Sequence, residues 1–122
     1  MPFSFNSYEI FARKLKDSTD EVDLRNSVSR GYYCFYHKVK NFFGYTTNQY
    51  VPHEVLINQL QNDYRISKGA KLSNAMQNMK QERVAADYKT SSREYNFNKL
   101  FTEFFWRKFD RTIELLNNEN LD

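Results

Sequence analysis

Arg30 and His37 are the two residues of this chain whose types and spacing fit chemistry together. Placed on a helix, they lie two turns apart and within about 20° of each other around its axis. An imidazole moves protons near neutral pH, and a guanidinium holds a phosphate through two parallel hydrogen bonds. Together they are the minimal equipment for cleaving RNA without a metal. One group handles the protons of the 2′-hydroxyl and the leaving oxygen, and the other stabilises charge on phosphorus. On the same projection Asn26, Tyr33, Cys34 and Asn41 fall within roughly 60° of that direction, so this face is expected to point away from the core. Asn26, Tyr33 and Asn41 are its supporting polar contacts. A solvated helix face carries Lys, Glu and Gln; this one fits a site or an interface better. The plainer reading of Arg30 and His37, as unrelated surface or dimer-contact residues, stays open on composition alone.

The elements that position these residues follow from periodicity and caps. Asn6 with Glu9 reads as a capping box opening a first helix that ends near Asp17, with Tyr8, Phe11, Ala12 and Leu15 at helical spacing. Ser18 with Glu21 repeats the signature, and Asp20, Glu21 and Asp23 suit the positive end of a helix dipole. The second helix spans residues 20–43, with Leu24, Val28, Phe35, Val39 and Phe42 as its core stripe and Gly44 closing it. Residues 45–51 read as a loop, and Pro52 opens a third helix that carries Val55, Leu56, Gln59 and Leu60 and ends before Gly69. Leu72, Ala75, Met76, Met79 and residues 83–86 mark a fourth, with Met76 and Met79 in the core. Residues 89–95 read as a loop. Phe97, Leu100, Phe101, Phe104, Phe105, Phe109, Ile113 and Leu116 form the apolar stripe of a fifth. The fold expected is all-α: an up-and-down bundle of four to five helices in a single domain, residues 1–122.

Composition agrees. At 122 residues the chain holds one core and is too short for two domains. Three Gly and two Pro do not encode the tight turns of an all-β fold. Aromatics at 17 % are a heavy load for a small helical domain, and a second buried surface in a partner would use the excess. A net charge of +3 permits contact with phosphate without establishing it. The single cysteine excludes an internal disulfide and points to a reducing compartment. Met1 to Ser7 lacks a signal pattern, and no apolar run reaches the ~20 residues of a membrane span. The reading is cytoplasmic, with no membrane partner.

The run Arg-Asn-Ser-Val-Ser-Arg-Gly-Tyr-Tyr-Cys-Phe-Tyr-His, residues 25–37, resembles the signature helix of the HEPN superfamily (higher eukaryotes and prokaryotes nucleotide-binding). Members carry a Ser-Arg-Ala-Tyr-Tyr stretch followed by an aromatic and a His. Arg83 followed by Ala86, Asp87 and Tyr88 is similar to a pattern late in such domains. The resemblance implies a bundle of four or five helices that forms a symmetric homodimer. In its ribonuclease members an Arg, four to six residues and a His act without metal, and the two copies make one composite cleft. Arg30 and His37 fit at the long end of that range. The function so implied is a metal-independent endoribonuclease leaving 2′,3′-cyclic phosphate ends, a toxin of a toxin–antitoxin or phage-defence pair with an antitoxin protein as partner. Gly31 and Val39 depart from the family's pattern, which has Asn, Asp or His after the Arg and often a Tyr two residues after the His. Gly31 favours the alternative, a non-catalytic HEPN-like module for dimerisation or protein binding. Passive nucleic-acid binding is a third option.

Other constellations point to less. His53-Glu54 is half of a zinc-protease motif, but position 57 is Ile, and two His with one Cys assemble no closed zinc site. His53 is therefore expected at a helix start facing solvent. Cys34 is expected to pack rather than react. Arg83 and Asp87 are spaced for a helix-surface pair. Lys38, Lys40, Lys68, Lys71, Lys80, Lys89 and Arg93 could guide an RNA backbone into a cleft, and individually read as a solvated basic face. No phosphate-binding glycine loop is present, and neither a cofactor nor a metal is expected.

Overall fold

The computed structural model describes residues 5–88 and 96–121. Five α-helices follow in order: α1 Phe5–Lys14, α2 Glu21–Phe42, α3 His53–Asn62, α4 Gly69–Tyr88 and α5 Lys99–Asn117. A 3-10 turn, Leu15–Asp17, links α1 to α2, and there is no strand among the described residues. The expected all-α bundle is what forms, with α2 at its centre, packed against each of the other four helices. The loop expected at residues 89–95 lies outside the described residues.

The long helix begins and ends where its chemistry dictates. Asp20 caps α2 by accepting the backbone N–H of Val22 at 2.9 Å. The expected Ser18–Glu21 box does not form. Ser18 Oγ accepts from the backbone of Asp20 and donates to Asp23, while Glu21 pairs with Arg25 one turn on. Gly44, at φ 84°, takes the left-handed turn that closes α2. The Asn6 box fails too, because α1 already begins at Phe5; Glu9 instead pairs with Arg13 and with Lys38 of α2. α3 stops at Asn62, before Gly69 as its periodicity predicts. Asp63 Oδ1 accepts the backbone N–H of Arg65 and its carboxylate takes the Arg65 guanidinium, a local turn that outcompetes another helical turn.

Leu24, Val28, Phe35 and Val39 of α2 are buried as expected, with Leu56, Leu60, Leu72, Met76 and Met79 beside them. In α5 the buried face is turned from the expected stripe. Leu100 and Phe104 are exposed, while Thr102, Trp106 and Thr112 are buried. Both threonine hydroxyls donate to the carbonyl four residues back, at 2.9 and 2.7 Å, so they enter the core satisfied. Trp106 and Phe105 lie against Gly31, where a Cβ would stand 2.6 Å from Phe105 and 2.8 Å from Trp106. Gly31 thus marks the close approach of α5 to α2, which explains why no side chain follows Arg30. Arg13 binds α1 to α5 through both Asp110 oxygens, its guanidinium 4.4 Å above the Trp106 ring. Arg25 closes the end of α4 by donating to the carbonyls of Ala85 and Ala86.

Candidate functional site

Between α2, α3 and α4 opens a cleft of about 480 Å³. Its α2 wall is Ser29, Tyr32, Tyr33, Tyr36, His37 and Lys40, residues that recur at helical three- and four-residue steps along one side of the helix. α3 contributes His53, α4 contributes Arg83, α1 contributes Tyr8, and residues 47–50 form the rim. No carboxylate is among the described residues that line it.

The rim is held onto α2 by two side chains. The Tyr36 hydroxyl donates to the Val51 carbonyl, and Lys40 Nζ donates to the Thr47 carbonyl at 3.1 Å. Lys40 was expected on a solvated face, yet it is 3 % exposed, its stem buried and its ammonium 5.4 Å from the Tyr36 ring. His53 was expected to face solvent at a helix start. Instead its ring stacks 4.4 Å from Tyr36 and 5.4 Å from Tyr32, and the Tyr32 hydroxyl is hydrogen-bonded to its Nδ1 at 2.7 Å. The cause lies in the rim: Pro52 caps α3 in an extended conformation, and the buried neighbour Val51 turns the first residue of α3 inward.

His37 packs edge-to-face with Tyr33 at 4.4 Å and with Tyr36 at 5.1 Å. Burial, then the nearby Lys40 ammonium, lowers its pKa to about 4. Burial, followed by Lys80 and Arg83, also lowers that of His53. Both rings are therefore neutral at pH 7 and able to accept a proton. Burial raises the phenol of Tyr32 well above its usual range, so that hydroxyl keeps its proton. Arg83 pairs with Asp87 at 2.9 Å, the helix-surface pair its spacing predicts, while also reaching the cleft.

The structure distributes the residues singled out from sequence. His37 and Tyr33 line the cleft; Asn41 lines an adjoining hollow of about 230 Å³ that shares His37, Lys40 and Thr47. Asn26 is half-buried and lines neither. Arg30 also lines neither: its guanidinium lies over Tyr8 and Phe11 of α1, at 5.7 and 5.6 Å, and donates to the Tyr8 hydroxyl at 3.5 Å. Tyr8 in turn meets Tyr33 at 5.8 Å, so Arg30 connects to His37 through two tyrosine rings. Cys34 does not point outward as its face was expected to. It is 1 % exposed, and burial pushes its thiol up to about 12, which keeps it protonated.

Tyr32 and Tyr36 were missed from sequence, and Lys40, His53 and Arg83 were named there without being placed in this cleft. The signal for the first three was a second stripe on α2, centred about 120° from Arg30. Two imidazoles, two cations and the phenols stacked on His53 are side chains with the chemistry to hold an anion attached to a flat ring. Among the described residues no cluster of His, Cys, Asp and Glu is arranged to hold a metal ion, and no helix is long and apolar enough to cross a membrane. No family model matches the chain, and no curated protein or solved structure matches it significantly.

Proposed function

We propose that this protein is a metal-independent endoribonuclease that takes single-stranded RNA into the cleft between α2, α3 and α4. The observation that carries this reading is that His37 shares one cleft with His53, Lys40 and Arg83 and with no carboxylate among its described lining residues. A neutral imidazole is the form that removes a proton from a 2′-hydroxyl, and the cations favour the charged phosphorane. Tyrosine faces accept bases without demanding a sequence. The HEPN resemblance of the second helix points the same way. In a homodimer of that kind, a partner's Arg30 would complete the charge on phosphorus; within one chain, Arg83 and Lys40 supply it. The biological setting that fits is a toxin or defence nuclease held in check by an antitoxin protein.

The test is cleavage of a labelled RNA by purified protein in EDTA. Fragments ending in a 2′,3′-cyclic phosphate are expected, and His37→Ala should reduce the rate by on the order of 10²–10⁴-fold. Intact RNA, or cutting unaffected by that change, refutes the reading.

A second reading rests on another observation. Arg30 is engaged with α1, where Ile10 and Phe11 remain exposed, an arrangement suited to a non-catalytic module that binds itself or a partner protein. Under that reading growth is unaffected by expression; under the first, expression arrests growth and His37→Ala relieves the arrest.

A further inference from the structure

Both imidazoles touch the ring of Tyr36, with centroids 5.1 Å away for His37 and 4.4 Å for His53. The two rings come from different helices, yet a single phenol separates them. Both residues line the same cleft, so a phosphodiester bound in it would have one imidazole on each side. The partner of His53 is a hydroxyl, Tyr32, at Nδ1. A hydroxyl can serve both protonation states of an imidazole. It donates to bare Nδ1 when the ring is neutral and accepts from Nδ1–H when the ring is charged. The His53 orientation therefore survives a change of protonation, as an acid–base group requires.

From this geometry we infer that His53 is a second catalytic group of the cleft, the acid that protonates the departing 5′-oxygen. The inference rests on the ribonuclease reading above. In the step so assigned, His37 removes the 2′-hydroxyl proton and the 2′-oxygen forms its bond to phosphorus. The bond from phosphorus to the 5′-oxygen breaks, and that oxygen takes the proton of the His53 imidazolium. The products are a 2′,3′-cyclic phosphate and a 5′-hydroxyl, with no water consumed. The entering phosphate favours the protonated form of His53, because its charge offsets that of Lys80 and Arg83. Solvent exchange restores both rings. All the chemistry then lies within one chain.

The roles separate on a substrate that needs no acid. RNA with sulfur in place of the bridging 5′-oxygen leaves as a thiolate, so protonation no longer limits the rate. His53→Gln, whose amide can still bond the Tyr32 hydroxyl, is compared with His37→Ala on both substrates in EDTA. His53→Gln is expected to be on the order of 10²–10⁴-fold slow on natural RNA, and within about threefold of the unmodified protein on the thio substrate. His37→Ala should be slow on both. His53→Gln equal to the unmodified protein on natural RNA overturns this inference and leaves the ribonuclease reading standing. His53→Gln slow on both substrates also overturns it, making the residue structural. If the unmodified protein cuts neither substrate, both readings fall.

Discussion

The indole N–H of Trp106 donates to the hydroxyl of Ser27 at 2.8 Å, and the same hydroxyl donates to the Ala12 carbonyl at 2.7 Å. One buried oxygen thereby joins α5, α2 and α1 at the point where they meet. Ser27→Ala strips a partner from a donor and an acceptor that have no route to water. A loss of about 1–3 kcal/mol is expected, read by urea unfolding followed with circular dichroism. The cleft lies elsewhere, so under the proposed function RNA binding should persist below the transition.

Gly31→Ala tests the close approach of α5. The added methyl would meet rigid aromatic carbons of Phe105 and Trp106, neither the far end of a flexible chain. Overpacking of this kind costs about 1–3 kcal/mol. A melting temperature at or above that of the unmodified protein would show that α5 can move aside.

The two arginines make opposite predictions. Arg83 lines the cleft and Arg30 does not. If each chain holds its own phosphate, Arg83→Gln should lower the slope of log affinity against log salt by about 0.7 for single-stranded RNA, while Arg30→Gln leaves it unchanged. The reverse result would return Arg30 to the substrate and favour a cleft shared by two copies.

Acid should loosen the fold. His37 is held at about 4 against an ordinary 6.5, and His53 is lowered as well. Between those limits the unfolded chain binds more protons than the folded one, so stability is complete above about pH 6.5 and falls as the pH drops towards 4. Asp63, held at about 2 by Arg65, titrates below that window. Melting temperatures from pH 7 to 4 should decline, and less steeply in His37→Gln. A flat profile for the unmodified protein would mean that the two rings are more open to water than their packing indicates.

The span of the second helix was legible in sequence to within a residue, because its core stripe and closing glycine agree with one another, although Asp20 rather than the Ser18–Glu21 box caps it. Its outward face was less so. Projection on one helix gives directions but not neighbours, and it did not reveal that α1 would cover Cys34 and draw Arg30 onto Tyr8 and Phe11. His53 was misread because a helix start is ordinarily wet; only the fold shows that two tyrosines of α2 hold it. The stripe of α5 failed for a related reason. Threonine counts as polar in a periodicity, yet Thr102 and Thr112 satisfy their hydroxyls locally and enter the core.

The chain's one tryptophan sits in the junction of α1, α2 and α5, away from the cleft, whose lining includes five tyrosines. Light therefore distinguishes two events in this protein. Indole emission reports whether the bundle is assembled, and phenol absorbance near the short-wavelength edge reports what occupies the groove. A ligand of the cleft is expected to perturb the second signal, to which its five tyrosines contribute, while leaving the first untouched.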